Sequence, residues 1–459
     1  MKKEILYFLV ALLGGMLFGY DTAVINGAMP FFTAYFQLTD AMVGWSVSSG
    51  LLGCILGAAF ASYPADRIGR RETMKIVAIL FFLSSLGTAF ATNFTLFVSA
   101  RILGGIAVGI VSVTLPIYVS EITPPEKRGR STINFQLGVV VGILLAFFVD
   151  YILLDTGEYN WRYMFLSMSL PALCFGGVLL KVSRSPRWLV SQRRIEEASK
   201  VLREQQPDQD INRLLQEIEQ SLSSVSDRLP WQALFRKPYL KFMVIGLAVG
   251  VFSQLSGIAI VMYYATDIFR SAGFETDAAI GQTVIIGLTN LVFTLLAKSL
   301  IDRLGRRRLL LTGTMGMFVS LSLLTASYFV AGFPSWILLL SLICFVACFA
   351  SSMGAVSWVL LSEIFPNTIR SQGMSLGSLS NWMVNGTISF LFPIVAGAFD
   401  QGQKYCFLFF ALSIFISYFF FRRYLFETKN KTLEEIDGKN GVDCYSKNGH
   451  AVTVLTRQS

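Results

Sequence analysis

Apolar runs of about 20 residues, separated by short polar loops, repeat along almost the whole chain. Roughly twelve can be marked, each long enough to cross a lipid bilayer's hydrocarbon core as a helix that satisfies its own backbone hydrogen bonds. They centre near Leu13, Leu52, Phe82, Val108, Val141, Leu173, Val251, Leu288, Phe318, Cys344, Phe390 and Ile414. The pattern predicts an all-α membrane protein with twelve transmembrane helices. One long polar stretch, Ser183 to Leu240, divides six spans from six. Within it, Ile195–Gln206 and Ile211–Ser221 are charged and periodic, with Pro207 between them, and read as short amphipathic helices outside the membrane. The expected organisation is an N-terminal six-helix bundle over 1–182, a helical linker over 183–238, a C-terminal six-helix bundle over 239–426 and a tail over 427–459.

Composition agrees: 54% of the 459 residues are hydrophobic, far above a soluble domain of this size. The net charge of +9 does not point to nucleic acid, because the basic residues cluster between spans that end on one side. Arg67, Arg70, Arg71, Lys127, Arg128, Arg130, Arg303, Arg306, Arg307, Arg308, Arg370, Arg422 and Arg423 share that side, against Arg162, Arg270 and Lys404 on the other. This positive-inside pattern predicts cytoplasmic termini and an even number of spans. Met1-Lys2-Lys3 before an apolar run resembles a signal peptide, but no small-x-small cleavage site follows cleanly, so a retained first helix is expected. Five of the six cysteines lie in apolar runs and none form CxxC pairs, which reads as buried small hydrophobes. No GxxxxGK[ST] loop is present, and the only histidine, His450, lies in the polar tail. An ATP-driven pump or a membrane enzyme is therefore not expected, nor is any cofactor beyond a coupling ion.

The two halves echo each other. Asp66-Arg67-Ile68-Gly69-Arg70-Arg71 follows the second span, and Asp302-Arg303-Leu304-Gly305-Arg306-Arg307 follows the eighth, an offset of 236 residues. Ser120-Glu121-Ile122 ends the fourth span and Ser362-Glu363-Ile364 the tenth, offset by 242 residues, with Arg128 and Arg370 following. A duplicated six-helix unit is the architecture of carriers that rock two bundles about a central site. Glycine pairs four apart (Gly53/Gly57, Gly105/Gly109, Gly138/Gly142, Gly246/Gly250, Gly373/Gly377) permit close helix approach.

Charges inside spans single out a mechanism. A carboxylate at bilayer depth costs a few kcal/mol and is rarely kept without a task. Asp21 lies on the first span, about 8 residues short of Met29 and so roughly 12 Å below the outer surface; Arg101 on the fourth is on the order of 8 Å down. Contact between them is expected. Arginine remains charged, so only Asp21 titrates, and a conformational change that alters their separation couples proton binding to the carrier's state. A static buried salt bridge is the alternative. At the cytoplasmic ends, Asp66, Glu121 and Glu363 can pair with Arg67, Arg128, Arg303 and Arg370 at helix ends facing the partner bundle. With Arg70, Arg71, Asp302, Arg306 and Arg307 they are expected to form a gate that closes in one state and opens in the other; ordinary solvation is the competing explanation. A neutral polyhydroxyl solute needs side chains that both donate and accept, and aromatic faces for its C–H surface. Gln136, Gln254, Asn290, Trp358, Asn381, Trp382 and Asn385 supply these within spans. Asn290 and Asn381 fall near the midplane, where carrier sites lie.

The motifs together resemble the sugar porter family of the major facilitator superfamily, over nearly the whole chain. They are Asp66–Arg71, Glu121 with Arg128-Gly129, Ser185-Pro186-Arg187-Trp188-Leu189, Asp302–Arg307, Glu363–Arg370, and in the tail Glu427-Thr428-Lys429 and Lys431-Thr432-Leu433-Glu434-Glu435. The resemblance implies two pseudo-symmetric bundles around a central cavity. It places Gln136, Gln254, Asn290, Trp358, Asn381 and Asn385 on sugar-contact or cavity positions, with Phe18, Tyr263 and Tyr264 lining or gating. Bacterial xylose–proton symporters carry Asp where Asp21 stands, and facilitative glucose uniporters carry Asn. Several positions depart from the family. Ser253 and Ala259 replace a usual Gln and Asn, Met353 and Ala355 a usual Trp and Pro, Arg184 a usual Glu, Asn430 a usual Gly, and Met168 the second acid of the xylose symporters. The expected function is proton-coupled symport of a monosaccharide or related polyol by a monomer in a bacterial inner membrane. A sugar uniporter or a non-transporting sugar sensor is the alternative.

Overall fold

The computed structural model describes residues 3–122, 128–205, 210–223, 234–235, 239–329, 335–365, 369–399 and 402–427. Among them every regular element is helical, and twelve helices are long and apolar enough to cross a membrane. In order these spans are Ile5–Phe36, Asp40–Arg67, Arg70–Ala89, Phe94–Ile122, Asn134–Ile152, Asn160–Leu179, Leu240–Ser271, Thr276–Ile301, Arg306–Phe329, Trp336–Leu361, Gln372–Ala398 and Gln403–Tyr424. Each expected centre falls inside one of them.

The first span is longer than the sequence indicated. Its helix continues through Pro30 to Phe36, so Asp21 lies 15 residues from the end, roughly 22 Å at 1.5 Å per residue. It is a mid-span acid rather than one near the far end.

The halves pack alike. The first span lies on the fifth, the second on the fourth and the third on the sixth; the seventh lies on the eleventh, the eighth on the tenth and the ninth on the twelfth. The two bundles meet where the second span touches the eleventh, the fifth touches the eighth, and the first touches the far half of the seventh. Small residues make the closest approaches. Between the second and fourth spans, Gly53, Gly57, Gly105 and Gly109 face opposing backbone so tightly that a Cβ on any of them would collide with it, which is how packing without a hydrophobic driving force is achieved in lipid.

Four of the described spans are interrupted. The second changes helix at Ala61, the sixth at Met168, the seventh at Ser256-Gly257 and the tenth at Ser352. Gly257 takes φ +86°, where a side chain is strained, and a Cβ there would also lie 2.7 Å from Phe410.

The linker is helical over Pro186–Ser191, Ile195–Gln205 and Ile211–Ser223. Ser185 caps the first of these by accepting from the Trp188 amide at 3.1 Å, and Trp188 donates its indole N–H to the Asp66 carbonyl at 2.9 Å. The linker is thereby fastened to the N-terminal half.

Candidate functional site

Asp21 and Arg101 are joined. Arg101 Nη1 donates to Asp21 Oδ1 at 3.0 Å, and both terminal nitrogens also approach the Asp21 carbonyl, at 3.3 and 3.4 Å. Both side chains are 4% exposed, so the pair is shielded from screening. Space for it depends on small neighbours: a Cβ on Gly104 would lie 2.9 Å from Asp21 Oδ1, and one on Gly50 3.1 Å from Arg101 Nη2. Phe165 covers the guanidinium with its ring centroid 5.8 Å from the central carbon.

One helical turn before Asp21, Phe18 faces the other bundle. Its ring centroid is 5.9 Å from that of Trp382 on the eleventh span and 6.3 Å from Phe135 on the fifth. Behind Trp382 runs a strip of buried amides. Gln254 Nε2 donates to Asn381 Oδ1 at 3.1 Å, and Asn381 Nδ2 approaches the Gly250 carbonyl at 3.3 Å. Gln254 Oε1 is buried with no partner among the described residues. Asn385 accepts from Ser389 Oγ at 3.1 Å and is hydrogen-bonded to the Tyr263 hydroxyl. Tyr263 is in turn within electrostatic reach of Asp21 and Arg101. The amide strip on one bundle and the charge pair on the other thus approach each other through Phe18 and Trp382. Asn290, on the eighth span, is buried, with Thr294 Oγ1 3.5 Å from its Oδ1, and Gln136 is half-buried on the fifth.

Two aromatic residues stand differently. Tyr264 donates to the Ser389 carbonyl at 2.7 Å. It lines a crevice of about 490 Å³ at the face opposite the basic loops, together with Pro30, Asp40, Asp267, Arg270 and Gln403. Trp358 is 44% exposed. Three of the departures from the family pattern are apolar or small in place: Met168 is buried at the break of the sixth span, and Ser253 and Ala259 are buried on the seventh. Sequence reasoning passed over Asp150, a fully buried acid on the fifth span. Its place beside Tyr151 near a span end reads as interfacial, and nothing in the local pattern signals otherwise.

At the basic face, ion pairs gather within each half. Arg70 bridges Asp66 at 3.2 Å and Glu121 at 3.3 Å, and Ser185 Oγ donates to Glu121 at 2.5 Å. In the other half, Arg306 makes a two-pronged pair with Glu363, at 2.9 and 3.1 Å. Glu427 caps the ninth span by accepting from the amides of Arg306 and Arg307 at 2.9 and 3.1 Å. Arg307 also donates to the Arg422 carbonyl at 2.8 Å. Arg67 donates to the Tyr63 hydroxyl at 2.5 Å. Arg71 lies on Glu72 and on the Val182 carbonyl. Arg184, the departure from the usual Glu, approaches Glu72 at 3.7 Å and covers Trp188. Arg303 lies in the last turn of the eighth helix. The side chains of Arg128, Asp302 and Arg370, and the tail beyond Glu427, lie outside the described residues.

Twelve spans, two halves with one packing order and a buried polar strip where the halves meet define a membrane carrier of the major facilitator fold. The sequence profile described as "Sugar (and other) transporter" matches residues 7–439. The D-xylose-proton symporter of Escherichia coli (strain K12) is 37% identical over 468 residues, covering 94% of each chain. The major myo-inositol transporter IolT of Bacillus subtilis (strain 168) is 38% identical over 441 residues, covering 94% of this chain and 92% of the relative. The partially occluded inward-open structure of the xylose transporter XylE from E. coli superposes with a TM-score of 0.83 at 34% identity, over 94% of this chain and all of the other. The chain belongs to the sugar porter family of the major facilitator superfamily. It is a multi-pass membrane transporter and not an enzyme.

Proposed function

We propose that the chain is a proton-coupled symporter of a monosaccharide or related polyol, working by alternating access, with Asp21 as the coupling acid and Arg101 as its fixed partner. The observation that carries this reading is the buried Asp21–Arg101 pair one helical turn from Phe18, which touches Trp382 beside the amide strip. A proton on Asp21 removes its half of the ion pair and frees this turn of the first span. Solute held by Gln254, Asn290, Asn381 and Asn385, and covered by Trp382 and Phe18, acts on the same turn from the opposite side. Gln136 faces it from the N-terminal half, and Tyr263 is hydrogen-bonded to Asn385. Each ligand changes the other's affinity by the same factor, which is what coupling requires. Related chains named for xylose–proton symport and myo-inositol transport support the solute class. Loss of two amides at Ser253 and Ala259 favours a solute that needs fewer hydrogen-bond partners there, such as a deoxy sugar or a polyol.

The N-terminal bundle (1–182) and the C-terminal bundle (239–426) are the rocking units, with the linker (183–238) and tail (427–459) in the cytoplasm of a bacterial cell, both termini inside and the monomer the working unit. The Arg70 and Arg306 clusters, with Arg67, Arg71, Arg128, Asp302, Arg303, Arg307 and Arg370 around them, form the cytoplasmic gate. In the form described here the outer halves of the first and seventh spans are in contact, with Asn26 accepting from the Thr266 amide at 3.0 Å. Purified protein in proteoliposomes, offered a panel of pentoses, hexoses, deoxy sugars and polyols while external pH is recorded, tests the reading. The expected result is external alkalinisation on adding the transported solute. Uptake without any pH change makes the chain a uniporter, and solute binding with no uptake makes it a sensor.

A further inference from the structure

Asp150 has no role in the mechanism above, and its surroundings are unusual for an acid. It is fully buried, no side chain among the described residues donates to its carboxylate oxygens, and the one backbone donor beside it is the Gly27 amide, outside good hydrogen-bond geometry. It packs against Gly27 of the first span: a Cβ on Gly27 would lie 2.5 Å from Asp150 Cβ and 2.6 Å from Oδ2. Among the described residues no cation balances it. Of the ionisable groups on the elements packed around it, Tyr20 is in electrostatic reach with its hydroxyl held by Ser167. Arg101 is taken by Asp21, and Arg162 donates to the Ala89 carbonyl and stacks on Trp161. Asp155 and Asp277 are exposed at the outer ends of their elements. An ionised carboxylate with at most one poorly aligned backbone donor and no cation beside it costs several kcal/mol at such a place, whereas the neutral acid costs far less.

The residues beside this contact form the outer seam between the bundles. Asn26, next to Gly27, accepts from the Thr266 amide of the seventh span at 3.0 Å. Tyr151, next to Asp150, lies 3.3 Å from where a Cβ on Gly281 of the eighth span would sit. Asn26 Nδ2, Thr266 Oγ1 and Gln282 Oε1 are also buried without a partner among the described residues. Parting the bundles would expose this polar lining first and give Asp150 a route to the outer solution.

We propose that Asp150 is a second proton-binding site, filled whenever the outer seam is shut and emptied to the outer side when the seam opens. One proton from water joins the carboxylate to give the carboxylic acid, and no other bond changes. Because the proton returns to the side it came from, Asp150 does not drive accumulation. It makes opening of the outer face harder in acid. That consequence rests on the alternating-access reading; the protonation itself does not.

Infrared difference spectroscopy of the full-length protein in lipid, combined with counterflow exchange at varied external pH, tests this. The wild type should show a protonated carboxylic-acid carbonyl band at neutral pH, lost in Asp150→Asn and kept in Asp21→Asn. Exchange by the wild type should slow as the outside is acidified, by up to about tenfold per pH unit, the slope one proton allows. Asp150→Asn, an isosteric mimic of the neutral acid, should flatten that profile while still accumulating solute. A wild type with no such band, a band that survives in Asp150→Asn, or an unchanged pH profile in that variant overturns the proposal. Failure of the symport reading would look different: Asp21→Asn would still accumulate solute, with the Asp150 band untouched.

Discussion

The two halves share a packing order but divide the polar chemistry between them. The N-terminal half holds the buried charges, Asp21, Arg101 and Asp150, and its first and fourth spans are single helices that continue through Pro30 and Pro116. The C-terminal half holds the uncharged amides Gln254, Asn290, Asn381 and Asn385, and the spans equivalent by repeat, the seventh and tenth, are each broken. Charge needs a rigid, dry frame, since an ion pair in low dielectric is tolerated only when its geometry is held. A neutral solute needs amides that donate and accept, and interrupted helices that open backbone around a cavity. The packing order is repeated, while the buried charges lie in one half and the uncharged amides in the other; under the function proposed above, that divides the proton's place from the solute's.

The sharpest way to break this division is at Asp21. Asp21→Asn should abolish accumulation against a gradient while leaving counterflow exchange intact, as measured in vesicles with an imposed pH gradient. Accumulation preserved in that variant would move proton coupling elsewhere. Next in size, Arg101→Met strands a buried carboxylate and should cost about 3–5 kcal/mol of stability, read from thermal unfolding in detergent. Adding Asp21→Asn should recover most of that loss, because removing both partners leaves no orphaned charge. On the other side, Gln254→Ala or Asn381→Ala should weaken solute binding by about 1–3 kcal/mol, roughly 5–150-fold, equally in uphill uptake and in exchange. A variant that altered the proton-to-solute ratio instead would show that the chemistries are not divided by half. The smallest effect is expected at the basic face. Glu363→Gln removes one partner of a partly exposed pair and should shift the inward-to-outward balance by about 0.5–1 kcal/mol, visible as a few-fold change in accessibility of the inner cavity.

Much of this was legible in the sequence, for physical reasons. Runs of about 20 apolar residues leave few alternatives to spanning helices, so all twelve spans could be located. The Asp21–Arg101 contact could be expected because two opposite charges in hydrocarbon have few other partners. The breaks were not legible. Ser256-Gly257 and Ser352 interrupt helices without interrupting hydrophobicity, and Met168 does so with an apolar side chain. The end of the first span was also not legible, since the helix continues past Met29 through Pro30 to Phe36 and Asp21 lies deeper than expected. The pairing at the basic face was legible as residue types but not as partners. The motifs supply Asp66, Arg70, Glu121, Arg306 and Glu363, and only the folded chain shows that these pairs lie within each half. Asp150 was missed because its lack of a side-chain partner is a tertiary fact.

The break at Ser256-Gly257 makes the seventh span two independent rods. The inner rod, Leu240–Leu255, carries Gln254 and its bond to Asn381; the outer rod, Ile258–Ser271, carries Tyr263, Tyr264 and the Thr266 amide that meets Asn26. If solute sits at the amides as proposed, the outer rod could swing over it while Gln254 and Asn381 keep their hydrogen bond, so that occlusion need not loosen the grip on what is being carried.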